Sequence, residues 1–306
     1  MSPDKTNTAI LFEDQTLRDG LQMESRIFSL AEKVQLFQLI KSSGIKQIQV
    51  GSFVHPKLVP QMADTDELIR TLGRQEGVVI SALILNEKGL ERALNCGVTH
   101  VDMSVSVSDT HSRKNAGRPA AGALETMTGL IRRALDSGLN VRAGLQCAFG
   151  CAYEGQISEN AVLSAAEKMV QAGAKLLYLA DTTGMATPQS IRNLIKKVKE
   201  TLPGTQILLH LHDTRGLGLA NMFSAYEAGI RYFDVCTGGL GGCPFVRGAA
   251  GNVPAEDAVN MFESMGIKTG VDLKALCDAV SFLEETLNRK LPGRMKRVLE
   301  HRVSCE

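Results

Sequence analysis

Two of the six histidines in this chain, His210 and His212, flank a single leucine. Side chains two residues apart in a β-strand point to the same face, which would place both imidazoles on one side of a strand, about 7 Å apart. Two imidazoles that face one space are a good start for a divalent metal site. The alternative is that each histidine only satisfies a hydrogen bond in the core. We favour metal ligation for a same-face pair near the end of a strand.

The elements that would position this pair alternate between strand and helix along almost the whole chain. Helical periodicity is clear in 30–44, 86–97, 158–174 and 187–204. Several of these segments begin at Ser, Thr or Asn and end at Gly, as capped helices do. Short apolar or β-branched runs predict eight strands, at 9–14, 45–51, 78–85, 100–108, 140–148, 175–182, 206–213 and 232–239.

Eight strand–helix units without a flexible linker or a charge block predict one α/β domain, a single (β/α)8 TIM barrel with extra C-terminal helices. The alternative is a doubly wound open sheet. That fold uses a glycine-rich phosphate loop after its first strand, whereas this chain has QTLRDGLQ there. We expect a flexible N-terminus at 1–8 and a catalytic domain at 9–306, in which the added helices begin near residue 255. Those helices should cap the barrel or pack on a partner subunit.

A barrel enzyme carries its chemistry where the strands end. Asp19 follows the first predicted strand and Asn252 follows the eighth, and strands 1, 7 and 8 are neighbours in a closed barrel. Both residues are therefore candidates to complete a site begun by His210 and His212. A mixed set of nitrogen and oxygen ligands would accept Mg, Mn or Zn.

A glycine-rich segment, residues 237–252, contains six glycines and cannot form a regular helix or strand. Loops of this length in a compact domain are usually functional. Cys243 lies within it, so the sequence predicts a mobile lid that carries an acid/base thiol. The alternative is an accidental surface cysteine.

The composition gives no electrostatic case for binding nucleic acid or an anionic membrane, because 34 Lys and Arg balance 33 Asp and Glu. No apolar stretch approaches the roughly 18 residues of a membrane span. The N-terminus lacks the apolar core of a signal peptide. Seven cysteines are an odd number in a chain that is no small secreted scaffold, which indicates a reducing, cytoplasmic location.

Six segments in order resemble the 3-hydroxy-3-methylglutaryl-CoA (HMG-CoA) lyase family of metal-dependent lyases and carboxylases. They are TLRDGLQ (16–22), SFVHPKLVPQMAD (52–64), GCAYEG (150–155), DTTGMATP (181–188), HLHDTRG (210–216) and GGLGGCPFVRGAAGN (238–252). The resemblance extends from about residue 9 to about residue 290. It implies a TIM barrel that cleaves a 3-hydroxyacyl-CoA, by default HMG-CoA to acetyl-CoA and acetoacetate. It also implies a homodimer, with roles in leucine degradation and ketone body formation.

The resemblance further implies roles for individual residues. Asp19, His210, His212 and Asn252 match the ligands of the divalent cation. Arg18 matches the arginine that stabilises the enolate, and Cys243 the loop cysteine that protonates it. Asp181 matches an acidic residue of the catalytic pocket. The coenzyme A contacts of the family match Arg113, Lys114 and Asn115.

The sequence also departs from the family pattern. Gln49 replaces a glutamate of the second strand, and glutamine can neither take a proton nor add a negative charge. Asp109 and His111, in SVSDTH, are more like the 2-isopropylmalate and homocitrate synthases of the same superfamily. We therefore count Gln49 and His111 among the candidate catalytic residues, with the substrate pocket expected to be altered.

Three hypotheses follow. The chain is an HMG-CoA lyase, or a relative that acts on another branched or dicarboxylic hydroxyacyl-CoA or favours the reverse, Claisen-like condensation. The third is a barrel that binds metal or coenzyme A without turnover because Gln49 has removed catalysis. The set of predicted ligands, together with Arg18 and Cys243, argues against the third. If the native substrate is not HMG-CoA, Gln49→Glu should raise HMG-CoA cleavage.

Overall fold

The structure, a computed structural model, describes residues 9–242 and 251–303. The predicted flexible N-terminus at 1–8 and the predicted lid cysteine, Cys243, lie outside these residues.

Eight parallel strands in the described part of the chain pair in chain order, and the eighth pairs with the first to close a barrel. The predicted TIM barrel is confirmed, and the open sheet is excluded. Most observed strands end earlier than the apolar runs suggested, because the chain leaves the barrel at the polar residues that follow. The strands are β1 (Leu11–Asp14), β2 (Gln47–Ser52), β3 (Val79–Ile84), β4 (His100–Ser106), β5 (Asn140–Gln146), β6 (Leu176–Ala180), β7 (Gln206–His210) and β8 (Tyr232–Val235).

Helices surround the barrel, and the four predicted helical segments correspond to α1, α3, α6 and α7. The short α4 is an addition to the loop after β4, which precedes the longer barrel helix α5. Over the described residues the α-helices are α1 (Leu30–Ser42), α2 (Thr65–Leu72), α3 (Glu87–Cys96), α4 (Asp109–Ala116), α5 (Ala120–Asp136), α6 (Glu159–Gln171), α7 (Pro188–Thr201), α8 (Gly218–Glu227), α9 (Ala255–Ser264), α10 (Leu273–Leu287) and α11 (Met295–Val303).

Helix ends follow the capping signals in the sequence. The Ser29 side chain accepts from the backbone N–H of Glu32, and the Glu32 carboxylate accepts from the backbone N–H of Ser29, which is a capping box. Asn86 caps α3 by accepting from Gly89, and that helix ends at Gly97 in the left-handed region. These local bonds fix where each helix begins, and so how each loop leaves the barrel.

The helices after the barrel pack on its side. The N–H of Asp272, which caps α10, donates to the carbonyl of Ser43 at the end of α1, over 2.7 Å. Lys296 of α11 pairs with Glu284 of α10 at 2.8 Å. The predicted C-terminal helices are thus present and lie against α1 and α9. None of the described helices is long and apolar enough to cross a membrane.

Candidate active site

A cavity of about 140 Å³ opens where the strands end. It is lined by residues from the turn after β1, from β3 to β7 and from loops that follow the strands, including those after β2 and β8. Six of the predicted functional residues line it, namely Arg18, Asp19, His111, Asn115, His210 and His212. The sequence separates these residues by up to two thirds of the chain, and barrel closure brings them to one opening.

The turn after β1 presents Arg18 and Asp19. It is a single π-helical turn, Thr16–Gly20, placed directly beyond the last residue of the strand. The guanidinium group of Arg18 donates to Asp19 Oδ1, to Gln49 Oε1 and, over 2.9 Å, to Gln15 Oε1. Three acceptors on three sides leave the guanidinium little freedom to rotate, so its charge is preorganised at the cavity wall.

His210 and His212 face each other, but they do not share a strand as the sequence predicted. His210 is the last residue of β7, and His212 lies beyond it, in an isolated antiparallel bridge with Asn252. The two Nε2 atoms lie 3.1 Å apart. The chain leaves β7 to meet the strand-like segment after the glycine-rich loop, which carries Asn252 into the site.

Three of the four predicted ligands present atoms that could bind one metal ion. An oxygen of Asp19 and a ring nitrogen from each histidine all lie within 4.8 Å of one another. Asn252 donates through Nδ2 to Asp19 Oδ2 at 2.7 Å, and its buried Oδ1 has no hydrogen-bond partner among the described residues. Burial opposes ionisation of Asp19, but Arg18 and the two histidines hold its pKa well below the usual range. A carboxylate, two imidazoles and an orphaned amide oxygen fit a divalent cation.

Below this site the barrel encloses a cluster of charged side chains that the sequence did not predict. Arg142 of β5 lies 2.9 Å from Asp234 of β8 and 3.1 Å from Asp102 of β4, and it also pairs with Glu13 of β1. All four side chains are less than a tenth exposed. In the sequence, Asp102, Arg142 and Asp234 are each a single charge within an apolar run, as in YFDV. The sequence does not indicate that four separate strands bring these charges together.

The acidic character of the barrel interior favours the binding of a cation. In the described residues, the guanidinium groups of Arg18 and Arg142 face four carboxylates, those of Asp19, Glu13, Asp102 and Asp234. Burial raises the pKa of Asp102 to about 7, although Arg142 opposes this, which shows that negative charge is costly in this space. A divalent cation would offset the surplus of carboxylates over guanidinium groups.

One layer of the barrel interior is polar where branched aliphatic side chains are usual. The layer takes one residue from every second strand, and its four members are Gln49, Asp102, Tyr178 and Asp234. Gly144 of β5 makes room for Tyr178, because a Cβ atom at this position would overlap the tyrosine ring. This layer forms the floor beneath the cavity.

Gln49 and Asp181 are fully buried behind the residues that line the cavity. Gln49 is fully buried between Arg18 and Asp102. Asp181 follows β6, and its Oδ1 accepts from the backbone N–H groups of Met185 and Ala186. Burial raises the pKa of Asp181 to about 6, against the opposing charge of His212.

The remaining predicted residues lie on or before α4. His111 is buried and lines the cavity, and burial lowers its pKa. Asn115 lines both this cavity and an adjoining one of about 670 Å³. Arg113 is exposed and pairs with Asp109, while Lys114 Nζ lies 4.0 Å from the ring centre of Tyr153. The structure thus brings Asn115 to the site, whereas Arg113 and Lys114 line neither cavity.

The predicted lid begins beside the cavity. Gly242 lines the cavity, and Gly251 accepts a backbone hydrogen bond from Asp213. Both flanks of 243–250 are therefore at the site, whereas Cys243 itself lies outside the described residues.

This closed barrel, with a cavity and a candidate divalent-metal site at the carboxyl ends of its strands, has the arrangement of a TIM-barrel enzyme. The model of the HMGL-like family matches residues 9–283. The chain is 38% identical over 295 residues to the (R)-citramalyl-CoA lyase of Chloroflexus aurantiacus, with 93% of each sequence covered. It is 37% identical over 283 residues to a hydroxymethylglutaryl-CoA lyase of Bacillus subtilis, covering 92% of this chain and 95% of the relative.

Solved structures agree. The HMG-CoA lyase of Bacillus subtilis superposes with a TM-score of 0.92 at 36% identity, over 95% of this chain and 98% of that one. An HMG-CoA lyase of Acinetobacter baumannii in complex with coenzyme A and 3-methylmalate gives 0.91 at 35% identity, over 96% of each chain. The chain belongs to the HMGL-like family, and it is an HMG-CoA lyase-like enzyme of the oxo-acid lyase class.

Proposed function

We propose that this protein is a divalent-metal-dependent lyase that cleaves a 3-hydroxyacyl-CoA to acetyl-CoA and an oxo acid, with HMG-CoA as the first substrate to test. The observation that carries the proposal is the convergence of Arg18 with Asp19, His210 and His212 on one cavity. An HMG-CoA lyase would act in leucine degradation and ketone body formation.

Cleavage breaks the bond between C2 and C3 of the acyl chain. The hydroxyl proton leaves as the oxo acid forms, and the bonding electron pair stays on the thioester fragment as an enolate. A divalent cation held by Asp19, His210, His212 and Asn252 would polarise the hydroxyl and carboxylate oxygens of the substrate. We take Mg or Mn as the expected cation.

The side chains of this protein then have separate tasks. The fixed guanidinium of Arg18 stabilises the negative charge on the thioester oxygen. His111, kept neutral by its lowered pKa, accepts the hydroxyl proton that the substrate loses on cleavage. Asp181 is a buried acidic group behind the cavity wall, and its pKa is raised to about 6 by burial. The thiol of Cys243 returns a proton to the enolate carbon, after the loop closes over the substrate.

The acyl-CoA chain would lie in the adjoining cavity, with Asn115 at the junction of the two spaces. Arg113 and Lys114, which precede Asn115 on α4, would supply positive charge for the phosphates of coenzyme A. Two further proposals rest on the sequence, namely a homodimer and a cytoplasmic location. Size-exclusion chromatography with light scattering tests the first, and fractionation of the producing cell tests the second.

A second substrate is favoured by specific observations. Gln49 stands where the resemblance predicts a glutamate, and one relative at 38% identity is named (R)-citramalyl-CoA lyase. The second candidate is therefore a branched hydroxyacyl-CoA other than HMG-CoA, cleaved by the same steps.

The test is a substrate profile of the purified protein with Mg²⁺ or Mn²⁺. HMG-CoA and (R)-citramalyl-CoA are supplied separately, and acetyl-CoA and free oxo acid are quantified. The matched control is Arg18→Gln, which keeps hydrogen-bonding groups and removes the charge. Equal amounts of acetyl-CoA and oxo acid from one substrate, lost in the control, support the proposal. Absence of acetyl-CoA from both substrates, and with both cations, overturns it.

A further inference from the structure

The amide group of Gln49 has only one orientation that satisfies its neighbours. On one side it faces the guanidinium group of Arg18, which carries donors and no acceptor. On the other side it faces Asp102, whose Oδ2 lies 2.6 Å from Gln49 Nε2. The amide oxygen must therefore point at Arg18 and the amide nitrogen at Asp102, since the flipped amide would set donor against donor.

Asp102 is itself held in place from its far side. Its Oδ1 lies 3.1 Å from Nε of Arg142, and the guanidinium of Arg142 is anchored in turn by Asp234 and Glu13. The chain of contacts therefore runs from a buried ion cluster through Asp102 and Gln49 to Arg18. Every member of this chain except Arg18 is less than a tenth exposed, so water does not compete for these bonds.

We propose that Asp102 is a positioning residue, which fixes the amide oxygen of Gln49 toward Arg18 and so sets the direction of the Arg18 guanidinium. The proposal rests on the function proposed above for Arg18. Asp102 touches no reacting atom in this scheme and acts through Gln49. Gln49 and Asp102 thus form a matched pair, in which an amide at position 49 requires an acceptor at position 102.

The contact between Gln49 and Asp102 determines how the protein tolerates a glutamate at position 49. Burial already raises the pKa of Asp102 to about 7, although Arg142 opposes this. A glutamate at position 49 would set a second carboxyl group against Asp102 in a space closed to water, which costs either charge repulsion or the uptake of a proton. Gln49→Glu should therefore harm the enzyme, whereas the sequence alone predicted a gain in HMG-CoA cleavage. An asparagine at position 102 would relieve the repulsion, because its amide nitrogen can donate to the new carboxylate.

The experiment is a double-mutant cycle of Gln49→Glu and Asp102→Asn, measured with whichever acyl-CoA the wild-type enzyme cleaves. We expect Gln49→Glu alone to lower kcat by about tenfold or more, and the same change in the Asp102→Asn background to cost less than about threefold. Additive effects would overturn the proposal, because an Asp102 that serves only its ion pair with Arg142 predicts the same cost in both backgrounds.

Two further variants separate positioning from structural support. Asp102→Asn keeps an acceptor oxygen and should retain kcat to within about threefold, while Asp102→Leu removes it and should lower kcat about tenfold with little change in KM. Glu13→Gln removes a different carboxylate from Arg142 without touching Gln49, so it should show no coupling to Gln49→Glu. Full kcat in Asp102→Leu, or equal coupling in Glu13→Gln, contradicts the proposal.

A wild-type enzyme that cleaves neither acyl-CoA would refute the proposed function, and melting temperatures then test the pair separately. Gln49→Glu should lower the melting temperature by several degrees when Asp102 is present and by much less in the Asp102→Asn background. Equal shifts in both backgrounds would overturn the Gln49–Asp102 pairing as well.

Discussion

The Oδ2 atom of Asp234 lies 3.0 Å from Nδ1 of His210, at the base of the candidate metal site. Burial works against ionisation of Asp234, but Arg142 and His210 hold its pKa below the usual range. An ionised Asp234 accepts a hydrogen bond from the N–H at Nδ1, which leaves the Nε2 lone pair of His210 directed into the site. The carboxylate thus fixes the tautomer that a metal ligand needs.

Asp234→Asn should weaken metal binding by about ten- to a hundredfold, because the neutral amide no longer raises the basicity of the imidazole. Isothermal titration with Mn²⁺ measures this affinity. Glu13→Gln serves as the control, since it also removes a carboxylate from Arg142 but leaves His210 untouched. Equal affinities in Asp234→Asn and wild type would show that Asp234 does not support the ligand.

His210→Ala and His212→Ala should each abolish activity and lower the metal content without unfolding the barrel. The reason is that each variant removes one of the three described side chains that converge within 4.8 Å. Metal analysis of the purified variants, with circular dichroism, is the measurement. A full metal content and a lowered melting temperature in both would show that the histidines are core residues.

Cys243→Ala should lower turnover by about a hundredfold, the usual worth of a positioned proton donor. A thiol with a pKa of about 8.5 is mostly protonated at neutral pH and can still release its proton. Metal content and affinity for a non-cleavable substrate analogue should barely change. Cys96→Ala, at the end of α3, is the control and should keep full turnover. Near wild-type turnover in Cys243→Ala would leave solvent as the proton source.

Gly144→Ala should destabilise the protein by about 1–3 kcal/mol, because the added methyl group overlaps the Tyr178 ring in a packed barrel. Gly122→Ala is the matched control. It lies within α5 with no atom within 4 Å of the new methyl group, so it should stabilise the helix by about 0.5–1 kcal/mol. Urea unfolding of both variants measures these changes, and a loss in Gly144→Ala no larger than in the control would contradict the expected overlap.

Glu256→Gln should flatten the pH dependence of stability. Glu256 accepts from the N–H of Gly238 at 2.9 Å, and burial raises its pKa to about 8 from a usual value of 4.5. Between about pH 5 and 7.5 the folded state keeps a proton that the unfolded state has lost. Wild-type stability should therefore fall with rising pH, on the order of 1 kcal/mol per pH unit from this group.

The comparison that tests this is urea unfolding of wild type and Glu256→Gln at several pH values. The difference between the two free energies of unfolding should change across the window, because only the glutamate titrates. Parallel curves for the two proteins would mean that Glu256 is ionised in the folded state.

The sequence by itself determined the barrel, because strand and helix patterns depend on local periodicity and on caps such as Ser29 and Asn86. It also identified Asp19, which follows a predicted strand, and the two histidines, which lie near the end of another, while the role of Arg18 was implied by the family resemblance. The positions of two site residues, His212 and Asp181, differ from those that the sequence predicted. His212 lies outside β7, and Asp181 lies behind the cavity wall, because the sequence does not specify where the chain leaves a strand.

Only the tertiary structure determines which side chains face each other inside the barrel. Asp102 and Arg142 each look like an isolated charge in an apolar strand, and no neighbouring residue in the sequence indicates which residue each will pair with. Closing eight strands into a ring turns these side chains inward, where they are excluded from water. A buried charge must then be paired or hydrogen-bonded, so the ion cluster and the orientation of Gln49 follow from burial rather than from any local pattern.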